Sequence, residues 1–416
     1  MGETAGCCAG LVAGFRALGL RADHLNLGTD PMGYSAGRPP LRARLVRWLA
    51  ARRRSGPGPR PIWTAIHRAA MSALLLHAIV RYDAFVFRAG DSFLGLRDLA
   101  LLRRLGKTVL VVFFGSDSRP SYLNGAEVAL DGSGSRLAAE TAAKRRMVER
   151  IERDAGAIVC HVMSSQLHSR RAVAFLAIGI PRASPAAARP PPDGPIRVLH
   201  APSRSAGKGT ERIRLAVEEA SRAAGVPIQL EVISGRPNAD VLRAIAGSHF
   251  VIDQLYSDTP MAGFAAEAAA LGRPAIVGGL GWDELRAATP AELMPPAELC
   301  HPDELAAAVS RLATDAAHRE ELGERGRAFV AERWSPAAVA GRVLAILRGD
   351  VPADWWFEPA AIPYAGGAGM STDQVAAAVR AVIEAAGTAA LQAGDKPELE
   401  RRLVELASPS PEAVAG

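Results

Sequence analysis

Two stretches between His200 and Pro274 carry side chains whose types and spacing suit phosphate and sugar-hydroxyl chemistry. The first reads HAPSRSAGKGT over residues 200–210. It follows Ile196, Val198 and Leu199, a short apolar run that predicts a buried parallel strand ending near Pro202. Ser203, Ser205, Gly207 and Gly209 leave backbone N–H groups uncovered, Arg204 and Lys208 add two cations, and Thr210 with Glu211 opens a long helical pattern. Uncovered amides, a helix N-terminus and fixed positive charge at the carboxyl end of a parallel strand all favour an anion. The turn is not a Walker loop. No glycine stands five residues before Gly207-Lys208 and no Ser or Thr follows the lysine directly, which argues against an ATPase. The same residue types also make ordinary strand-to-helix connections.

The second stretch begins at Asp253-Gln254-Leu255-Tyr256, the end of an apolar run from Phe250 that predicts another strand. GFAAEAAALGRP follows over residues 263–274. Gly263, Phe264 and the small residues after them open a helix to which a ligand can come close, and Glu267 projects one turn in. A carboxylate there either holds sugar hydroxyls or complements the helix dipole.

Together these motifs resemble the C-terminal half of GT-B glycosyltransferases, in particular retaining glycosyltransferase family 4, over residues 196–350. The resemblance implies that Arg204 and Lys208 contact the diphosphate of a nucleotide-sugar and that Glu267 bonds the ribose. It also exposes two departures. Family members carry a second glutamate eight residues before the first, and here that position is Thr259, with Asp258 and Ser257 beside it as substitutes for the donor side. Phe114-Gly115-Ser116-Asp117-Ser118-Arg119 is similar to the family's H-G-x-D-x-R loop, with Phe114 in place of histidine. Asp117 either orients and deprotonates an acceptor hydroxyl or caps its own turn. Arg119 is placed with the acceptor side.

The elements around these motifs must hold them at sheet edges. A chain of 416 residues with 49% hydrophobic and 5% aromatic content has room for two α/β domains and argues against an all-β fold. A helix over Ala9–Leu18, strands over Ala22–Leu27 and Ala84–Phe87, a helix over Leu94–Leu105, a strand over Thr108–Phe114, a helix over Leu137–Arg153 and a strand over Ala157–Val162 predict a parallel sheet. Proline-rich residues 181–195 predict a linker. The expected organisation is an acceptor domain over 1–180, a nucleotide-sugar domain over 196–350 and a tail over 351–416 that packs on the first domain or forms an interaction arm. Relatives have a strand before the segment resembling residues 5–14. Its expected absence here points to a misplaced start codon or an unusual sheet.

The net charge of +6 is uneven, for Leu41–Arg60 holds seven arginines, Arg52, Arg53 and Arg54 among them, and no acid. Leu41, Leu45, Trp48 and Leu49 are expected on one face of a basic amphipathic helix, which either rests on an anionic leaflet or is a solvated linker. No aromatic platform accompanies the arginines, which argues against nucleic acid. Cys7, Cys8, Cys160 and Cys300 have no metal-site spacing, the histidines do not pair at one, and His200 reads as a packed residue under the nucleotide. With no run of some 18 uncharged apolar residues and no leader pattern, the expectation is a cytoplasmic protein, soluble or peripheral at the inner membrane face.

The combined expectation is two Rossmann-like domains facing a cleft, transferring a sugar from a nucleoside diphosphate to an acceptor with retention. It needs neither cofactor nor metal, since Arg204 and Lys208 stand where other enzymes hold a divalent ion with an Asp-x-Asp pair, absent from this chain. Two alternatives remain open at this point: a non-catalytic GT-B scaffold, and a nucleotide-sugar epimerase or hydrolase of the same fold.

Overall fold

The computed structural model describes residues 6–27, 41–55, 60–174, 190, 193–202 and 208–408. Ser203, Arg204, Ser205 and Gly207, with most of the linker, lie outside the described residues.

The chain opens with α1 (Cys7–Ala17), α2 (Leu41–Ser55) and α3 (Arg60–Arg81). A parallel sheet follows in chain order: β1 (Ala84–Arg88), β2 (Thr108–Val112), β3 (Ala157–Cys160) and β4 (Ala172–Ala174). Between these strands run α4 (Arg97–Arg104), the short α5 (Gly115–Ser118) and α6 (Gly125–Val128), and the long α7 (Gly134–Asp154). Val109 to Val112 are all buried, as expected of a strand covered on both faces.

The second sheet uses β5 (Ile196–His200), β6 (Ile228–Val232), β7 (Phe250–Ile252), β8 (Ala275–Gly278) and β9 (Glu298–Cys300), all parallel, in the order β6-β5-β7-β8-β9. Val198 pairs with Leu230 on one side and Phe250 on the other, so the winding reverses between β5 and β7. Its helices are α8 (Thr210–Ala224), α9 (Asn238–Ala246), α10 (Gly263–Ala270) and α11 (Trp282–Ala287), then α12 (Leu305–Thr314) and α13 (Ala316–Arg333).

At Ser335, whose hydroxyl caps α14 (Pro336–Arg348) at Ala338 N–H, the chain crosses back. Val339, Ala340, Val343 and Ile346 are buried against Leu11, Phe15, Leu110 and Val112 of the first unit. Gly14 makes that approach possible, since a Cβ there would overlap the Pro336 carbonyl. Beyond α14, β10 (Trp356–Phe357) adds antiparallel to β4, α15 (Thr372–Ala386) lies over α7, and α16 (Pro397–Ala407) packs on α15. Tyr122 and Leu137 pack there with Val379, Val382, Leu399 and Leu403, and the buried Tyr122 hydroxyl donates to the Leu391 carbonyl at 2.8 Å. Each such aliphatic side chain contributes about 1.5–3 kcal/mol by leaving water.

Three expectations need correction. Residues 22–27 form no strand. Their alternation is too brief to make a ladder, and side chains fix the segment instead: Asp23 accepts from the Tyr82 hydroxyl and from Arg16. The strands expected to reach Phe114 and Tyr256 stop at Val112 and Ile252, where the ladders with their neighbouring strands end. Finally, α2 buries Ala43, Val46 and Leu49 near α3, leaving Leu41, Leu45 and Trp48 outside, so the single apolar face splits in two.

Candidate active site

Ligands of doubly wound sheets collect outside the carboxyl ends of the strands where the order reverses. Here that point lies between β5 and β7. β5 ends in the buried His200, whose Nδ1 lies 2.8 Å from the Ile252 carbonyl and whose Nε2 lies 3.0 Å from Thr210 Oγ1. A carbonyl only accepts, so Nδ1 carries the proton and Nε2 accepts from Thr210. Burial lowers the affinity of His200 for a second proton, and the neutral ring pins β7 to the first residue of α8.

Gly209 precedes α8 with φ 73°, the left-handed conformation that favours glycine, and a Cβ there would press on Leu255. The Leu255 N–H donates to the Lys208 carbonyl at 3.2 Å, tying the lysine turn to the loop after β7. Lys208 Nζ donates to Gln254 Oε1 and lies 3.6 Å from Asp253 Oδ1. Asp253 is buried, and its Oδ2 has no hydrogen-bond partner among the described residues.

Glu267 projects from α10, and Asn238 Nδ2 donates to its Oε1 at 2.8 Å. Burial pushes the Glu267 carboxyl up to about 6; the Asn238 hydrogen bond opposes the shift and the nearby Asp253 charge adds to it. Lys208, Asp253 and Glu267 therefore share one neighbourhood at the reversal. Gly263 is exposed and Phe264 partly buried at the start of the same helix.

Asp258, read from sequence as a donor-side residue, is buried in an ion pair with Arg119 of the first unit. Arg119, expected on the acceptor or membrane side, is correspondingly only 5% exposed. It lies inside, with Lys144 donating to its carbonyl at 3.1 Å. The loops after β2 and β7 thus meet, carboxyl edge to carboxyl edge. His161, after β3, is close to this pair. Its desolvation drives the ring down to about 4, with Asp258 opposing and Arg119 reinforcing, so the ring is neutral at physiological pH.

Asp117 caps its own turn. Its Oδ2 accepts from the Phe114 N–H at 2.9 Å, and burial raises its proton affinity. Arg52, Arg53 and Arg54 end α2, with the Arg52 guanidinium 5.2 Å from the Trp48 ring centre.

Sequence reasoning missed several residues. Gln166 Nε2 donates to the Met163 carbonyl at 2.8 Å and to the Tyr364 carbonyl at 3.2 Å. Gln166 Oε1, Tyr364 Oη and Arg119 Nε are buried without hydrogen-bond partners among the described residues. The tail enters here as well, since the Gly369 N–H donates to the Tyr256 carbonyl at 2.8 Å. Nothing local to Tyr364 or Gln166 signals this role; only the crossing of the tail assembles it. Asn238 opens α9, and its spacing from Glu267 had no motif to betray it.

A separate chamber of about 630 Å³ lies beside β1, lined by Leu11, Phe15, Leu74, Phe85 and Leu347 with Asp23 and Arg42 among them. None of its lining residues belongs to β5, β7 or the loops after them. Among the described residues no group of three His, Cys, Asp or Glu could hold a metal ion.

No family model matches the chain, and no curated protein does. Solved structures overlay on it loosely. Sucrose-phosphate synthase from Thermosynechococcus elongatus is 15% identical, covering 68% of this chain and 78% of its own at a TM-score of 0.44. Anabaena HepE in complex with UDP is 13% identical, covering 68% and 82% at 0.44. The trehalose-6-phosphate synthase OtsA is 14% identical, covering 74% and 82% at 0.43. Overlays this loose carry no further weight.

Proposed function

We propose that this protein is a glycosyltransferase of GT-B architecture that moves a sugar from a nucleoside diphosphate to an acceptor, with retention and without a metal or other cofactor. One observation carries the reading: Lys208, Asp253 and Glu267 gather where the order of a parallel five-stranded sheet reverses. Lys208 and Arg204, with the positive end of α8, bind the diphosphate. Glu267 and Asn238 hold the ribose hydroxyls, and Gly263 and Phe264 border the donor. As the glycosidic bond breaks, the leaving diphosphate gains charge, and fixed cations stabilise it more in the transition state than in the ground state. Lys208 exchanges Gln254 for a phosphate oxygen in this reading. Asp258 acts through Arg119, fixing the two loops that border the reacting sugar, while Asp117 shapes the acceptor-side loop.

The test is thermal-shift screening with nucleoside diphosphates and their sugars. At least one raises the melting temperature in proportion to ln(1 + concentration/Kd), and Lys208→Ala reduces the shift. No shift with any of them overturns the proposal. A second reading, a scaffold that binds nucleotide without turnover, is favoured by Thr259 in place of a carboxylate and by the engagement of Asp258 with Arg119. Binding without transfer or hydrolysis in the presence of sugar acceptors separates it, and NMR of the product anomer checks retention.

A further inference from the structure

From Leu41 to Tyr82 the chain has nine arginines and no Asp or Glu, and it folds there as the α2–α3 hairpin. Ala43, Val46 and Leu49 of α2 and Met71, Leu75 and Ala78 of α3 are buried. The outer faces are apolar too. Leu41 (78% exposed), Leu45 and Trp48 form one stripe at helical spacing, and Ile62, Ile66, Leu76 and Val80 (89% exposed) form another. The exposed Ala69 and Ala73 continue the second stripe. Trp48 meets Trp63 edge-on at 5.8 Å.

Isolated apolar side chains are common on soluble surfaces, whereas seven large ones on a single acid-free hairpin are not. Apolar stripes flanked by arginines and tryptophan suit the plane between headgroups and acyl chains of an anionic bilayer. α3 is long and apolar enough to cross a membrane by length and composition. It nevertheless lies along the first unit, since its Met71, Leu75 and Ala78 are buried and the chain enters β1 at Ala84. A second copy would set the hairpin's nine arginines against nine, with no Asp or Glu of the hairpin's own to offset them and Asp23 beside Arg42 already paired, so charge complementarity selects the lipid surface.

We propose that the α2–α3 hairpin seats the protein on an anionic bilayer, with its outer apolar stripes in the interface and Arg52, Arg53 and Arg54 on headgroup phosphates. The proposal is independent of glycosyl transfer at the pocket. Its test is flotation of the full chain with phosphatidylcholine vesicles, with and without phosphatidylglycerol. Binding requires phosphatidylglycerol and weakens steeply with salt. Changing Arg52, Arg53 and Arg54 together to Gln lowers partition roughly a hundredfold, about fivefold per charge. Leu41→Ser, Leu45→Ser and Trp48→Ser combined also release the protein, while brominated acyl chains quench Trp48 in the parent chain. Both variants keep the parent circular-dichroism spectrum and a cooperative melt, which shows that they are folded. Equal binding to neutral vesicles, no vesicle binding, or a concentration-dependent oligomer that the serine variant abolishes would overturn it, as would binding confined to nucleic acid.

Discussion

The two units of this chain are built in opposite ways. All five strands of the second sheet come from residues 196–300, whereas the first unit joins residues 7–174 to α14 and then to the tail from Trp356 to Ala407. In the second, each site residue sits next to the strand that positions it. In the first, stability depends on partners far away in sequence, such as Tyr122 with Leu391 and Arg145 with Asp395 at 3.1 Å. Asp395 is partly buried, which favours its neutral form, yet hydrogen bonds from Lys396, Ser169 and Arg145 hold it down to about 2. A contiguous sheet records its site locally; a composite unit records its integrity in contacts that no short motif contains.

The largest test of that contrast is a chain ending at Gly349. Removing α15 and α16 uncovers Tyr122 and Leu137 and forfeits burial worth on the order of 10 kcal/mol. Hydrogen exchange then shows β1 to β4 losing protection while β5 to β9 keep theirs, and equal loss in both sheets breaks the contrast. Next in size is the ion pair that joins the units. Arg119→Ala or Asp258→Ala leaves a buried charge alone and costs about 3–5 kcal/mol in denaturant unfolding, while replacing both with apolar residues costs less. Lys208→Ala removes a charge-assisted contact of about 1.5–3 kcal/mol and weakens nucleoside diphosphate binding tenfold or more by calorimetry, without disturbing the first unit.

The smallest effect is a pH profile. The folded Glu267 holds its proton up to about 6, above its ordinary 4.5, so its contribution to stability is present below 4.5 and is lost as pH rises through 6. Ribose binding runs the other way if the carboxylate accepts hydroxyl hydrogen bonds: affinity falls severalfold as pH drops below about 6. Titrating Glu267→Gln in parallel separates this from protonation of the nucleotide itself, and identical profiles for both chains remove Glu267 from the site.

The second sheet was legible because its strands are short apolar runs followed by polar turns; Lys208 and Gly209 stand in the turn after β5, and Glu267 stands in α10, the helix that follows β7. The β-branched run at Thr108 was legible for the same reason, although its strand ends two residues earlier than the apolar pattern. Residues 22–27 misled because alternation over so few residues lacks a pairing partner, and side-chain bonds at Asp23 fix the segment instead. The pairing of Arg119 with Asp258 was illegible. Both were noted one at a time, and only docking of the two carboxyl edges makes them partners. Tyr364 and Gln166 were hidden for the same reason, since each is ordinary in its own segment.

The route of the tail also governs how the molecule comes off the ribosome. Domains usually mature in the order of synthesis. Here β5 to β9, with the α12 and α13 side chains that complete their core, can close as soon as Arg333 has emerged, while the amino-terminal sheet still waits for α14, β10, α15 and α16. The half translated first is finished last, and until then Tyr122, Leu137 and Leu110 offer nascent apolar surface that a chaperone would have to shield.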